Sequence, residues 1–141
     1  MRLRALLPAL LLCAGSAAGC RRGPAPAASP TPHPVQVTEL RLGPAVGLDK
    51  RVAVESPSFH PQDIIFVSVV TQGFASRVRL SARWVDPAGR LLEEMDQAIA
   101  PAGTAVSEFH LWKPGGFAPG AYQVEIWLDG ARVDARSFTV E

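Results

Sequence analysis

Residues able to do chemistry are few in this chain and widely spaced. Its three histidines, two cysteines and 13 carboxylates do not fall into the spacing of a metal site. His60-Pro-Gln-Asp63 offers one pair of ligands, but in a Pro-containing turn with no third or fourth donor close in sequence. His110 stands between Phe109 and Leu111, so on a strand it points away from both. Glu93 and Glu94 are adjacent; on a strand they face opposite ways and cannot serve one substrate as acid and base. There is no local signature of a Ser-His-Asp or Cys-His pair, and no Gly-rich phosphate loop opening a helix. The expectation is a non-enzymatic protein with no metal, no catalytic residue and no small-molecule substrate. Aromatic residues carry more information. Trp112 and Phe117 flank the Pro/Gly loop, and Trp127 is out of phase with Tyr122, Val124, Ile126 and Leu128. If those four face a core, Trp127 faces outward. Outward aromatics concentrate at binding surfaces, which makes Trp112, Phe117 and Trp127 the candidate partner-binding residues; packing beneath the protein's own loops is the alternative.

The elements that must position these residues are strands. Apolar residues recur with period two, and no segment carries a helical stripe. Val35 to Leu42 changes its apolar parity between Val37 and Leu40, predicting a bulge near Thr38 and Glu39. Arg51 to Glu55, with Val52 and Val54 on one face, is expected as a short second strand. Ile64 to Val70 is almost continuously apolar, the pattern of a central strand covered on both faces. Arg77 to Val85 alternates cleanly, with Val78, Leu80, Ala82 and Trp84 inward, and Asp86-Pro87-Ala88-Gly89 supplies turn chemistry. Strands are predicted from Arg90 to Ile99, where Leu91 to Met95 also fits a helical turn, and from Ala105 to Trp112. Lys113 to Gly120 is loop. Ala121 to Leu128 and Ala131 to Val140 form a hairpin about Asp129-Gly130, a pair suited to positive φ.

About seven to eight short strands predict an all-β, two-layer antiparallel sandwich. Phe117-Ala-Pro-Gly-Ala-Tyr122-Gln-Val-Glu-Ile-Trp-Leu-Asp-Gly resembles the penultimate strand and final hairpin of immunoglobulin-like and fibronectin-III-like domains. That resemblance implies a tyrosine corner, with the Tyr122 hydroxyl bonded to backbone a few residues upstream, and Trp84 as the buried tryptophan of a central strand. The disulfide of antibody domains is absent. A superfamily of many functions implies no particular one.

The leader is the most specific segment. Arg2 and Arg4 precede an apolar run from about Ala5 to Ala14, too short for the roughly 20 residues that span a bilayer and interrupted by Pro8. Ala17-Ala18-Gly19-Cys20 then resembles the lipobox of bacterial lipoproteins, departing from the common pattern at Ala17, where Leu is usual. It implies a signal peptide over 1–19 and a diacylglyceryl Cys20 carrying palmitate-class acyl chains. A plain secretory signal cut after Ala18, leaving a free thiol, is the alternative. Cys13 leaves with the leader, so Cys20 becomes the only mature cysteine, and acylation removes a lone thiol from an oxidising compartment. Arg21 stands where Asp marks inner-membrane retention in many Gram-negative lipoproteins, which favours the outer membrane. From Arg21 to Pro34, five prolines in fourteen residues form a spacer unable to bury a core. The expected layout is therefore a leader (1–19), a lipidated Cys and Pro/Ala-rich tether (20–34) and one sandwich domain (35–141).

Loss of Arg2 and Arg4 shifts the formal charge from +1 to −1, so no basic face for nucleic acid is expected. The functional expectation is a membrane-anchored, structural or binding module of the cell envelope. Its partner would be an envelope protein or cell-wall polymer met by an edge strand or end loops. The alternative is a β-sandwich peptidase inhibitor presenting Lys113 to Gly120.

Overall fold

The computed structural model describes Gly23 and residues 34–141, and those residues form a two-layer β-sandwich. Its strands are β1 (Gln36–Gly43), β2 (Ser58–Phe59), β3 (Ile65–Phe74), β4 (Val78–Val85), β5 (Leu91–Ile99), β6 (Ala102–Leu111), β7 (Gly120–Leu128) and β8 (Ala131–Val140). One sheet has the order β1-β3-β6, the other β2-β8-β7-β4-β5. All pairings are antiparallel except the short β2 with β8.

Alternation in the sequence becomes burial. On β4, Leu80, Ala82 and Trp84 are sealed in the interface between sheets; on β7, Val124 and Ile126 meet them from the neighbouring strand. β3 supplies Ile65, Val67 and Val69 from the opposite layer. As its apolar run predicts, β3 is central to its sheet, and its outer face is also covered at Ser68 and Val70. The bulge on β1 falls between Val37 and Glu39. At the β7–β8 turn, Asp129 and Gly130 take φ of 47° and 83°, and the Asp129 carboxylate accepts the Arg79 N–H at 2.8 Å, tying the hairpin to β4.

Three expectations need correction. No strand forms over Arg51–Glu55. The Val52 N–H donates to the Ser68 hydroxyl instead of to a neighbouring strand, and Val52 is buried while Val54 is 71 % exposed. This segment crosses the outer face of β1, where Gly43 admits it: a Cβ there would lie 2.4 Å from the Val54 carbonyl oxygen. The second strand is Ser58–Phe59, held by Thr139 N–H donating to the Pro57 carbonyl. β3 starts at Ile65 and runs to Phe74, leaving Ile64 outside it, and β6 starts at Ala102, three residues before the expected point. The helical alternative at Leu91 to Met95 is not taken, because those residues pair with β4.

Strand directions sort the connections into two ends. Pro34, the β3–β4 link, Ala100-Pro101 and Asp129-Gly130 share one, here the proximal end, where the preceding chain joins. The long Pro44–Pro57 segment, the Asp86–Arg90 turn and the Trp112–Pro119 loop share the other, the distal end.

Candidate functional site

At the distal end, aromatic side chains hold loops in place. Tyr122, 5 % exposed, donates its hydroxyl to the Ala118 carbonyl at 2.7 Å. Its ring stacks on Phe138 at 5.5 Å and meets the edge of Phe117 at 5.8 Å. Phe117 is itself buried, and its N–H donates to the Pro61 carbonyl at 2.8 Å. That burial removes Phe117 from the outward aromatic set: the loop folds back and inserts the ring into the core rather than presenting it. The Lys113–Gly116 turn closes through Gly116 N–H to the Lys113 carbonyl, and the His60–Asp63 turn through Asp63 N–H to the His60 carbonyl and His60 N–H to the Asp63 carboxylate. These bonds make one assembly of the 60–64 and 112–118 segments.

The Asp86–Arg90 turn stands beside it. The Asp86 carboxylate accepts the backbone N–H groups of Ala88 and Arg90 and the Arg90 guanidinium. The Arg90 backbone bond above all holds its pKa below the ordinary carboxylate value. Burial, and next the Asp86 charge, raise the Tyr122 hydroxyl above its ordinary value.

On this scaffold Trp112 is 55 % exposed and Ile64 42 %. Each lies one residue beyond the last ladder pair, Ile65 with Leu111. Phe66 and His110 are themselves cross-strand partners, with ring centroids 5.5 Å apart. Trp112 and Ile64 thus lie at the distal end of the β3–β6 pair, next in sequence beyond the residues that flank the Phe66–His110 contact. Ile64 and Phe66 were legible as apolar residues; their exposure follows from sheet order and from where β3 begins.

Trp127 sits elsewhere, on the outer face of the five-stranded sheet. The Arg83 guanidinium lies 4.2 Å above its ring, and its indole N–H donates to Glu125 at 3.2 Å. Arg83 also pairs with Glu94, and Glu125 with Arg132. The ring therefore faces outward but under a guanidinium lid. The structure thus does not unite the three aromatics: Trp112 is displayed, Phe117 is buried, and Trp127 is covered.

Among the described residues, no group of three or more His, Cys, Asp or Glu is placed to hold a metal ion. No helix among them is long and apolar enough to cross a membrane. Two open clefts lie at the proximal end, one of about 480 Å³ lined by Pro34, Gln72, Phe74 and Thr104. The leader, the lipobox, Cys20 and all of the tether but Gly23 and Pro34 fall outside the described residues.

No protein-family model matches this chain, and no curated protein matches it. Solved structures do resemble it. An immunoglobulin-like protein from Pseudomonas aeruginosa matches with a TM-score of 0.52 at 11% identity, over 77% of this chain and 98% of that one. The alkylpurine DNA glycosylase of Pseudomonas fluorescens, solved on DNA containing an abasic site analogue, gives 0.52 at 13% identity over 76% of this chain. A β-glucosidase involved in saponin metabolism from intestinal bacteria gives 0.51 at 14% identity over 77%. This chain spans only 30% of the glycosylase and 16% of the glucosidase, so each likeness is to one part of a larger protein. At these identities the likeness is one of fold. Described from Pro34 to Glu141, the chain is an immunoglobulin-like β-sandwich.

Proposed function

We propose that this protein is a lipid-anchored, non-enzymatic binding module of the bacterial envelope. Cys20 is its membrane attachment, the Pro/Ala-rich segment its tether, and the distal end of the sandwich its docking surface for another envelope protein. The observation that carries the reading is polarity: the tether joins the proximal end, while the braced, exposed Trp112 and Ile64 lie at the opposite end. Bracing matters because a surface already ordered loses less conformational entropy on binding. An exposed tryptophan on such a surface has the character of an interface anchor. Two acyl chains at Cys20 would hold stably where a single chain gives marginal membrane binding.

The same bracing favours a second reading, a peptidase inhibitor that presents the Lys113–Gly116 tip to an enzyme cleft. Capture of partners from detergent-solubilised envelope by the full chain and by Trp112→Ala separates the two. Loss of a structural or secretion partner by about tenfold or more with Trp112→Ala supports the binding module; recovery of a peptidase supports the inhibitor. Mass spectrometry of membrane-derived protein should show an N-terminus at diacylglyceryl Cys20, and Cys20→Ala should release the protein or leave it unprocessed. A soluble chain beginning at Gly19 would overturn the anchor.

A further inference from the structure

The two sheets end in four edge strands, and three of them are guarded. β1 carries a bulge between Val37 and Glu39 and is crossed by the 51–56 segment, where Ser56 N–H bonds the Leu42 carbonyl at 3.0 Å. The opposite edge of its sheet, β6, has the Glu108 carbonyl taken by the Gln97 side-chain amide at 2.7 Å. At one edge of the larger sheet β2 has only two residues, and β8 behind it has Val133 displaced by a register shift. Bulges, short strands and covering groups are the usual means of keeping a sheet edge from pairing with another chain.

The fourth edge, β5, has none of these along most of its length. It is nine residues long, about 30 Å of strand, and no strand lies beyond it among the described residues. Its one irregularity is at its start, beside Val85. Leu91–Ile99 contains no Pro, Gly, Lys or Arg. Leu91 is 54 % exposed, and Leu92, Met95 and Ile99 pack against the core while only partly buried, so an added strand would complete their cover. Its charges have one sign: Glu93, Glu94 and Asp96 are all exposed, Glu94 and Asp96 on the outer face and Glu93 on the inner, in register with Trp84. Glu94 is balanced by Arg83, and Asp96 accepts the Ser81 hydroxyl, but Arg83 and Ser81 belong to β4, on the side of β5 away from its open edge. A second copy pairing β5 to β5 would set acids against acids, which is unfavourable between cross-strand neighbours.

The geometry points to β5 as a strand-addition site for an extended, basic segment of a partner protein, main-chain pairing supplying affinity and Glu94 and Asp96, which share the outer face, selecting the charge. The inference rests on the reading of the domain as a binding module, but it uses a surface distinct from Trp112. A peptide that fails here overturns it and leaves the Trp112 experiment standing.

The test is a titration of the isotope-labelled full chain, in neutral detergent, with a nine-residue peptide alternating lysine and valine and with its glutamate–valine counterpart. The lysine peptide should give saturable amide shifts confined to Leu91–Ile99 and the β4 residues beside them, and the glutamate peptide none. Because screening shortens the Debye length from about 10 Å at 0.1 M salt to about 3 Å at 1 M, that rise should weaken binding by about threefold or more. Glu94→Lys, on the outer face, should weaken it similarly, and Glu94→Gln less. Absence of shifts, shifts centred on another edge or at the distal end, or equal response to both peptides would overturn the proposal.

Discussion

Tyr122 shows how one side chain holds both a loop and a core. Its hydroxyl satisfies the Ala118 carbonyl, while its ring fills space between Phe117 and Phe138. Tyr122→Phe keeps the ring and removes the hydrogen bond, for an expected loss of about 0.5–1.5 kcal/mol. Tyr122→Ala also empties an aromatic volume, for about 3–5 kcal/mol. Denaturant melts of the two variants separate the contributions; a neutral Tyr122→Phe would mean that the Ala118 bond contributes nothing. pH supplies an independent check. A hydroxyl whose folded pKa is raised contributes stability that is fully present below its unfolded value near 10 and is lost as pH rises through the folded value. The parent protein should therefore lose stability at alkaline pH by a component that Tyr122→Phe lacks.

Among the elements, the segment between β1 and β2 is the one whose role the fold redefines. It is a cover, not a strand, and its crossing depends on a residue without a side chain. At Gly43 an added Cβ would meet the Val54 carbonyl at 2.4 Å and a Val52 methyl at 2.5 Å, both too close to be absorbed without movement of backbone. Gly43→Ala should cost about 1–3 kcal/mol, as overpacking does. Hydrogen exchange should locate the damage, with the Val52 and Ser56 amides losing protection before those of β3 and β7. Uniform loss across all strands would show that the cover and the sandwich open together.

For the whole molecule, the core is built from aliphatic and aromatic side chains of both sheets, with no cysteine in residues 34–141. The chain cut back to begin at Val35 should therefore melt cooperatively, with a midpoint unchanged by chelator or reductant. A midpoint lowered by chelator would reveal a metal on which folding depends. At this scale the molecule has two ends of different character. The proximal end receives the tether, and the distal end carries the braced loops with Trp112 and Ile64.

Local pattern determined much of this architecture. Alternation along Arg77–Val85, the apolar run beginning at Ile64, the parity change in the first strand and the Asp129-Gly130 turn each involve neighbours in sequence, so their physics is visible in the chain itself. The layered, all-β class and seven of the eight strands follow from such local patterns. Tertiary structure alone decided the rest. Val52 reads as one member of an alternating pair, but its amide finds the Ser68 hydroxyl on a strand that comes later in the chain, and Val54 is left exposed. Phe117 reads as a loop aromatic, yet the turn-back at Gly116 brings its ring against Tyr122. Trp127 is outward by parity in either view; only the pairing of β4 beside β7 puts Arg83 over it. Which apolar residues remain in contact with water, Trp112 and Ile64 among them, depends on which strands become edges and where ladders stop. Those are long-range choices, made by the total burial of two sheets against each other, and no window of neighbouring residues contains them.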